Sequence, residues 1–406
     1  MVTFKGFLRS DGKVGVRNNV ICVGTANCVN AVVSQIARAV PGVIPLRHKE
    51  GCGDGQKAPH FIPMLTNLCC NPNHYAVILV SLGCEVCNAD EIAEVLRAQG
   101  TPVCVVQIHK VGGRQRAVEI AVEAAKRFVA DAEAMERTEQ PVSTLCLGTE
   151  CGGSDALSGV TANPAQGYLS DWLVANGGTS LLTETTELVG CEQILADRAV
   201  SPEVARDIWR RISANTELVD RVAGIFGGHA VGAAKGNMAK VSSGVAQGNM
   251  AGGLSSIQEK SLGCVTKGGT SPVCGIFGFD ETIGDRKGLY ILDGVNSDHE
   301  SICGLFSAGA QIVTFSSGRG SLLGFASCPV IKITSNPLTY AAMSSDIDIN
   351  AGAIVSDGMS LEELGQQCID YFLATANGQS TVCEKNGYGG PIGFWRHLTP
   401  VIPSKI

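Results

Sequence analysis

Strand-length apolar runs that break off at a glycine and pass into an amphipathic helix recur along the first part of this chain. That rhythm restricts the fold more than any other feature. Asn19 to Gly24 reads as a buried strand, after which Thr25-Ala26-Asn27 caps a helix from about Cys28 to Val40. Ala76 to Leu82 reads as a second strand, ending at Gly83-Cys84-Glu85, with a helix over Asp90 to Ala98. Val103 to Gln107 is a third, followed by Gly112-Gly113 and a helix to about Ala130. Repeated βαβ units build a doubly wound parallel sheet, with function at the carboxyl ends of its strands. From Asp131 to Pro141 the sequence turns polar and reads as a linker or helix end. The expected fold class is α/β, with a doubly wound, Rossmann-like domain over 1–140 and a larger mixed α/β catalytic domain over 141–406. In the second part Thr144 to Leu147, Ser180 to Thr183, Leu289 to Leu292, Gln311 to Phe315 and Val330 to Ile333 read as strands. Glu203 to Ala214, Gly253 to Leu262 and Leu361 to Asn377 read as helices.

With 406 residues, 45% of them hydrophobic, the chain buries a large core, and 50 glycines against 5% aromatics fit many tight turns. No apolar run approaches the roughly twenty residues of a membrane span, and no export signal precedes Arg9-Ser10-Asp11-Gly12. A cytoplasmic protein without membrane association is expected. A net charge of −7 with no basic stripe argues against nucleic acid as a partner. Seventeen cysteines at irregular spacing, an odd number, do not describe a disulfide framework, and those inside apolar runs, such as Cys22, Cys104 and Cys146, read as small buried hydrophobes.

Three cysteines differ from the rest. Gly51-Cys52-Gly53, Gly83-Cys84-Glu85 and Glu150-Cys151-Gly152 each place a thiol in a tight turn after an apolar run, and His48 lies four residues before Cys52. His48, Cys52, Cys84 and Cys151 form the expected metal group, since soft ligands of this kind leave a coordination position open for substrate. Glu85, Glu150 and Asp155 are supporting or alternative ligands. Cys84-Glu85-Val86-Cys87 lacks the second pair that a zinc ribbon needs. Residues 224–253 are rich in glycine and alanine and nearly repeat a six-residue unit, which reads as a flap or as compositional chance.

Arg9-Ser-Asp-Gly-Lys-Val-Gly-Val-Arg-Asn18, His48-Lys-Glu-Gly-Cys-Gly53, Gly83-Cys-Glu85, Cys151-Gly-Gly-Ser-Asp155, Gly159-Val-Thr-Ala-Asn-Pro164, Glu259-Lys-Ser-Leu-Gly263, Lys267-Gly-Gly-Thr270, Gly318-Arg-Gly-Ser321 and Asp346-Ile-Asp-Ile-Asn-Ala-Gly352 follow one another along nearly the whole chain. Together they resemble the altronate/galactarate dehydratase family. The resemblance implies a hydro-lyase dependent on Fe2+, with Mn2+ able to substitute, that converts a 2,3-dihydroxy sugar acid to a 2-keto-3-deoxy acid. It also implies a separate small subunit, because the chain opens at the Arg9 motif as large subunits of split members do, and a homo-oligomer is expected. Met250 stands where sugar-acid members suggest a lysine, which leaves the individual acid open. Two other readings stay open: a C–S lyase that eliminates sulfite from a sulfolactate-like acid, and a non-catalytic metal-binding subunit. An iron-sulfur cluster on Cys52, Cys84 and Cys151 is the alternative to a single iron.

Such a reaction needs a base for the proton next to the carboxylate, a counter-charge for the enediolate and help for a departing hydroxide. Lys260, Lys267 and Glu184 are the candidate proton-transfer residues, a lysine or histidine of lowered pKa being what the chemistry asks of its base. Glu184 and Glu187 read either as an acid/base pair or as a solvated strand end, with Glu187 nearer the second. Arg17 and Arg319 suit bidentate carboxylate binding. Asn18, Ser154, Asp155, Asn163, Lys332 and Asn350 complete the expected substrate-binding set.

Overall fold

A computed structural model describes residues 2–52, 60–225, 247–294 and 297–394 of the chain. Two short strands, β1 (Thr3–Leu8) and β2 (Val14–Gly15), pair antiparallel at the start. Four parallel strands follow, β3 (Asn19–Gly24), β4 (Val43–Leu46), β5 (His74–Ser81) and β6 (Val103–Gln107), in the spatial order β4-β3-β5-β6. β7 (Thr138–Pro141) returns to pair with β1. The rest of the chain builds a seven-stranded sheet from β8 (Cys146–Cys151), β9 (Thr179–Leu182), β10 (Val273–Phe277), β11 (Gly288–Leu292), β12 (Ile312–Ser317), β13 (Val330–Thr334) and β14 (Ile349–Asn350). Its order is β10-β11-β9-β8-β12-β13-β14. Every pairing in the two larger sheets is parallel, and the protein is α/β.

The two-residue period of a strand explains why these sheets are covered on both faces. Ile21, Val23, Val77 and Leu79 enter one hydrophobic cluster, while their neighbours Val20, Cys22, Ala76, Ile78 and Val80 enter another. The first of these clusters continues into the larger sheet through Val313, Phe315 and Val330, with helices Phe61–Cys69 and Asp298–Ala308 packed together between the sheets.

Two differences from the sequence reading concern the site. The strand read as Thr144 to Leu147 runs on to Cys151, with Thr149, Glu150 and Cys151 all buried. Within the polar stretch 131–141, Thr138–Pro141 is a strand; its exposed side chains carry no apolar alternation, so only the pairing with β1 reveals it. Of the glycine- and alanine-rich stretch, residues 226–246 lie outside the described residues.

Arg17 and Asn18 are structural, against expectation. Arg17 meets Glu384 through Nε at 2.7 Å and Nη2 at 2.8 Å, and its other donors go to the carbonyls of Val16, Thr375 and Gln379. The carboxylate in its fork is thus the chain's own. Asn18 accepts from Arg9 Nη1 at 2.5 Å and donates to the Ala132 carbonyl at 2.7 Å. Arg17→Met is expected to lower unfolding free energy by about 1.5–3 kcal/mol, the range for hydrogen bonds to charged groups, with KM unchanged. Urea unfolding beside steady-state kinetics checks this, and a raised KM at unchanged stability would return Arg17 to the substrate.

Candidate active site

The larger sheet begins at β8, adds β9, β10 and β11 on one side, and then crosses to the other for β12, β13 and β14. Its order therefore reverses between β8 and β12, and open α/β sheets take ligands in the crevice at the carboxyl ends of such a pair. Glu150 and Cys151 end β8 at this crevice. Being consecutive in a strand, they project to opposite faces. Register places Glu150, Phe315 and Lys332 in one cross-strand row and Cys151, Ser316 and Ile333 in the next.

On the Cys151 side, two buried lysines converge on the sulfur. Lys260, from helix Ile257–Val265, places Nζ 3.2 Å from Cys151 Sγ, and Lys267, from the turn Thr266–Gly268, places its own at 3.1 Å. Lys260 also pairs closely with Glu187, and Lys267 with Glu184 at 2.6 Å. A hydrogen bond from Cys264 is the main cause holding the Cys151 thiol well below its ordinary pKa; with the two ammonium groups it outweighs burial. Burial works to lower both lysines, but the Cys151 thiolate and the surrounding anions overcome it and hold both well above their ordinary value. Lys260 and Lys267 are therefore fixed ammonium groups, and the expectation of a lysine base of lowered pKa does not hold for either. Glu187, read as nearer a solvated end, is buried against Lys260.

The Glu150 side gathers three carboxylates, and of these Glu184 is ion-paired, with Lys267. Glu150 Oε2 accepts from Ser301 Oγ at 2.6 Å, and Glu184 Oε2 accepts from Lys267, but Oε1 of each is buried without a hydrogen-bond partner. Asp298, the first residue of helix Asp298–Ala308, joins them, and ligand oxygens of Glu150, Glu184 and Asp298 lie within 4.8 Å of one another. A side chain at position 152 would put its Cβ 2.1 Å from Asp298 Oδ2, so glycine there is what admits the aspartate. Burial, and then the Glu184 charge, push Asp298 up to about 7 and Glu150 well above its usual range. Glu184 has φ 70°, the one non-glycine residue with positive φ among the described residues. Backbone of that kind costs on the order of 1–3 kcal/mol and persists where the surroundings demand it. Here it lets one carboxylate face both groups.

Lys332 lies in the same row as Glu150, with Phe315 between. It is buried, its Nζ has no hydrogen-bond partner, and it stands 3.7 Å from the centroid of the Phe315 ring. Burial lowers its pKa to about 8, against the opposing pull of Cys383, Asp298, Asp348 and Glu150. Among Lys260, Lys267 and Lys332, this is the lysine whose pKa is lowered.

The remaining expected residues divide. Ser154 is buried with Oγ unpartnered, and it lines a groove of ≈ 230 Å³ with Asp155, Asn163 and Lys260. Asp155 is engaged internally, accepting from Ser158 Oγ at 2.8 Å, Ser335 Oγ at 2.6 Å and Asn336 Nδ2 at 3.2 Å. Asn163 bridges the Gly263 carbonyl and Ser316 Oγ at 2.9 and 2.6 Å. Both therefore brace loops around the groove. Arg319 is exposed and donates to the Gly248 carbonyl at 3.1 Å. Asn350 ends the edge strand β14 and lines a separate cleft with Asp348 and Tyr371.

The expected metal group is split. His48 is buried with Nε2 2.7 Å from the Gly24 carbonyl and Nδ1 accepting from Glu50 N at 3.1 Å, which leaves neither nitrogen for a metal. Cys52 and Cys84 are exposed on loops of the first sheet, whereas Cys151 is buried in the second. Cys264 and Asp298 were not in the expected site, because nothing in their local sequence marks them; only the packing of helices Ile257–Val265 and Asp298–Ala308 brings them in.

Residues 142–397 match the family model described as D-galactarate/altronate dehydratase, C-terminal, and residues 6–133 match the one described as D-galactarate dehydratase/altronate hydrolase, second domain. The chain belongs to the galactarate/altronate dehydratase family. This family member is 33% identical to an altronate dehydratase of Bacillus subtilis, over 95% of the chain and 76% of the relative. It is 31% identical to an altronate dehydratase of Escherichia coli over 94% and 75%. A (2R)-sulfolactate sulfo-lyase subunit beta of Chromohalobacter salexigens is 32% identical over 95% of each chain. The galactarate/altronate dehydratase family member is accordingly an enzyme of the hydro-lyase class. Among the described residues no helix is long and apolar enough to cross a membrane.

Proposed function

We propose that this enzyme dehydrates a sugar acid of the altronate or galactarate type to its 2-keto-3-deoxy acid, in the crevice between β8 and β12. The observation that carries the reading is the trio of buried Glu150 and Glu184 with half-buried Asp298, in which Oε1 of each glutamate has no hydrogen-bond partner, beside the unpartnered amine of Lys332. Three carboxylates so close in a low-dielectric site repel one another unless a cation lies between them, and their oxygens suit a hard or borderline divalent ion such as Fe2+ or Mn2+. When bound, such an ion supplies Lewis acidity toward carboxylate and hydroxyl oxygens. The group Cys151, Glu184, Glu187 and Cys264 is equally compact, but Lys260 and Lys267 already neutralise it, which favours the oxygen trio.

The protein's own groups divide the remaining work. Neutral Lys332 accepts the proton from the carbon next to the substrate carboxylate. Arg319, exposed beside the loop that follows β12, takes that carboxylate or the one at the far end. The ammonium groups of Lys260 and Lys267 fix Glu187 and Glu184 and so hold Glu184 in place between the two groups. Removing the divalent ion with a chelator is expected to lower turnover by more than about tenfold, with recovery on adding ferrous iron under reducing conditions. Full activity in demetallated protein would defeat the proposal.

The (2R)-sulfolactate sulfo-lyase relative supports a second reading, in which the same proton abstraction expels sulfite in place of hydroxide. Assaying sugar acids for 2-keto product and sulfolactate for sulfite separates the two. That relative is named as a subunit, which supports a further subunit beside this chain. A small partner covering the crevice and a cytoplasmic homo-oligomer are parts of the same proposal. Co-expression with a candidate partner should then raise turnover.

A further inference from the structure

Of the seventeen cysteines, three are exposed, and they are Cys28, Cys52 and Cys84. Cysteine is among the most buried residue types, and an exposed thiol is open to oxidation. That the three exposed thiols of the chain should fall together therefore calls for a cause. They follow three successive strands of the first sheet, Cys28 after β3, Cys52 after β4 and Cys84 after β5. In the order β4-β3-β5-β6 the winding reverses between β3 and β5, so all three leave the carboxyl edge beside that sheet's own switch-point crevice. They are near enough that Cys52, Cys84 and Glu85 each disfavour the Cys28 thiolate, after burial.

The loops that carry them are built to converge. Gly51 has φ 98°, and a Cβ there would fall 2.2 Å from the Thr25 carbonyl oxygen and 2.7 Å from Ala26 Cα, so only glycine allows the Cys52 loop to lie against the end of β3. Asn27 N donates to the Glu50 carbonyl at 2.8 Å across the same contact, and His48, through the Gly24 carbonyl and Glu50 N, braces the loop from below. On the other side Glu85 turns back on its own loop and accepts from Leu82 N at 2.9 Å, Gly83 N at 2.7 Å and Cys84 N at 2.9 Å, and from Thr25 Oγ1 at the end of β3. One carboxylate thus ties the Cys84 turn to the strand that leads to Cys28. Glu85 is consumed in this, which leaves three thiols as the donors.

Among the described residues, the groups with ligand atoms within 4.8 Å of one another do not include these thiols. Three thiols on loops that converge at one crevice suit a cluster, in which each thiolate binds a different iron. We infer that Cys28, Cys52 and Cys84 hold an iron-sulfur cluster at the β3/β5 crevice, separate from the carboxylate site and with one iron free of protein ligands. The expected cysteine set for such a cluster was Cys52, Cys84 and Cys151; the fold replaces Cys151 by Cys28. Each thiol gives its proton to solvent as its sulfur bonds iron; four ferric ions and four sulfides come from outside the chain, and an external thiol, oxidised to its disulfide, supplies the two electrons that make two of the irons ferrous.

Anaerobic incubation of the full chain with ferric iron, sulfide and a thiol reductant tests this. We expect thiolate-to-iron absorbance with about four acid-labile sulfides per chain and about four irons beyond the one at the carboxylate site. Cys28→Ser, Cys52→Ser and Cys84→Ser should each lose most of the sulfide, with thermal unfolding of the unloaded protein unchanged because the side chains are exposed. Cys151→Ser should keep it. Absence of bound sulfide, iron without sulfide, a colourless zinc site, or a cluster that survives Cys28→Ser or is lost in Cys151→Ser would each overturn the inference. Because sulfide is counted and turnover is not, the result is independent of the dehydratase reading.

Discussion

Glu184→Gln should lose both the divalent ion and turnover, with kcat/KM falling on the order of 10²–10³-fold, as when one preorganised electrostatic group is removed from an active site. Glu184 is the one residue common to the two compact groups, Cys151-Glu184-Glu187-Cys264 and Glu150-Glu184-Asp298. Its Oε2 is held by Lys267 at 2.6 Å while its Oε1 faces the trio without a partner. The amide keeps the shape but removes the charge on both sides. Because it also leaves the buried Lys267 with a weaker partner, Glu184→Gln could be poorly folded, and Glu184→Asp supplies the sharper test. Aspartate enters left-handed backbone more readily than glutamate, so position 184 should accept it without strain. It keeps the charge yet withdraws the carboxylate by one methylene. Reduced metal affinity and turnover at unchanged thermal stability are the expected result; unchanged affinity for iron or manganese in Glu184→Asp would remove Glu184 from the metal site. Glu187→Gln is the control, since Glu187 meets Lys260 and is absent from the trio.

How far this site could be read in advance depended on whether each residue's partner was local. Most strands of the two larger sheets were legible because their residues are largely apolar, as β5 with His74–Ser81 illustrates, whereas β4, β10 and β14 were not read as strands. The end of β8 was not, since Thr149, Glu150 and Cys151 resemble a polar turn and only their burial beside β9 and β12 makes them strand. Lys260 and Lys267 were recognised as belonging to the chemistry, but their protonation depends on Cys151, Glu184 and Glu187, which lie 73 to 116 residues away in sequence. Arg17 looked like a substrate clamp because its partner, Glu384, is 367 residues distant. His48 looked like a ligand because the carbonyl that occupies it belongs to the preceding strand, 24 residues away. Residue types reveal which chemistry is available; the topology decides which copies of each type meet.

Lys332 gives the last expected result, and the pH profile is where it appears. At saturating divalent ion, kcat/KM should rise with pH on an apparent pKa of about 8, the value to which burial lowers this amine. The sign follows from the direction of the shift. A base must be neutral to take the proton, neutral Lys332 is scarce below about 8 and dominant above it, so activity is present on the alkaline side and lost as pH falls. Cys383, Asp298, Asp348 and Glu150 are the anions whose charges act on it, and each opposes the lowering. Asp298 also titrates, near 7 in the absence of a cation, but a bound divalent ion favours its ionised form and moves that transition to lower pH. The limb that remains at saturating metal then belongs to the lysine. Lys332→Arg keeps a cation beside Phe315 but cannot become neutral in this range. It should lower kcat by on the order of 10²–10⁴-fold, the contribution of a positioned acid or base, and abolish the rising limb while leaving bound metal in place. Loss of solvent-deuterium exchange at the carbon next to the carboxylate should accompany it, because that exchange requires the abstraction step and not the departure of hydroxide. A Lys332→Arg enzyme that still exchanges and still shows the limb would place the base elsewhere and leave Lys332 as an anchor for the substrate carboxylate, which is the role its sequence position first suggested.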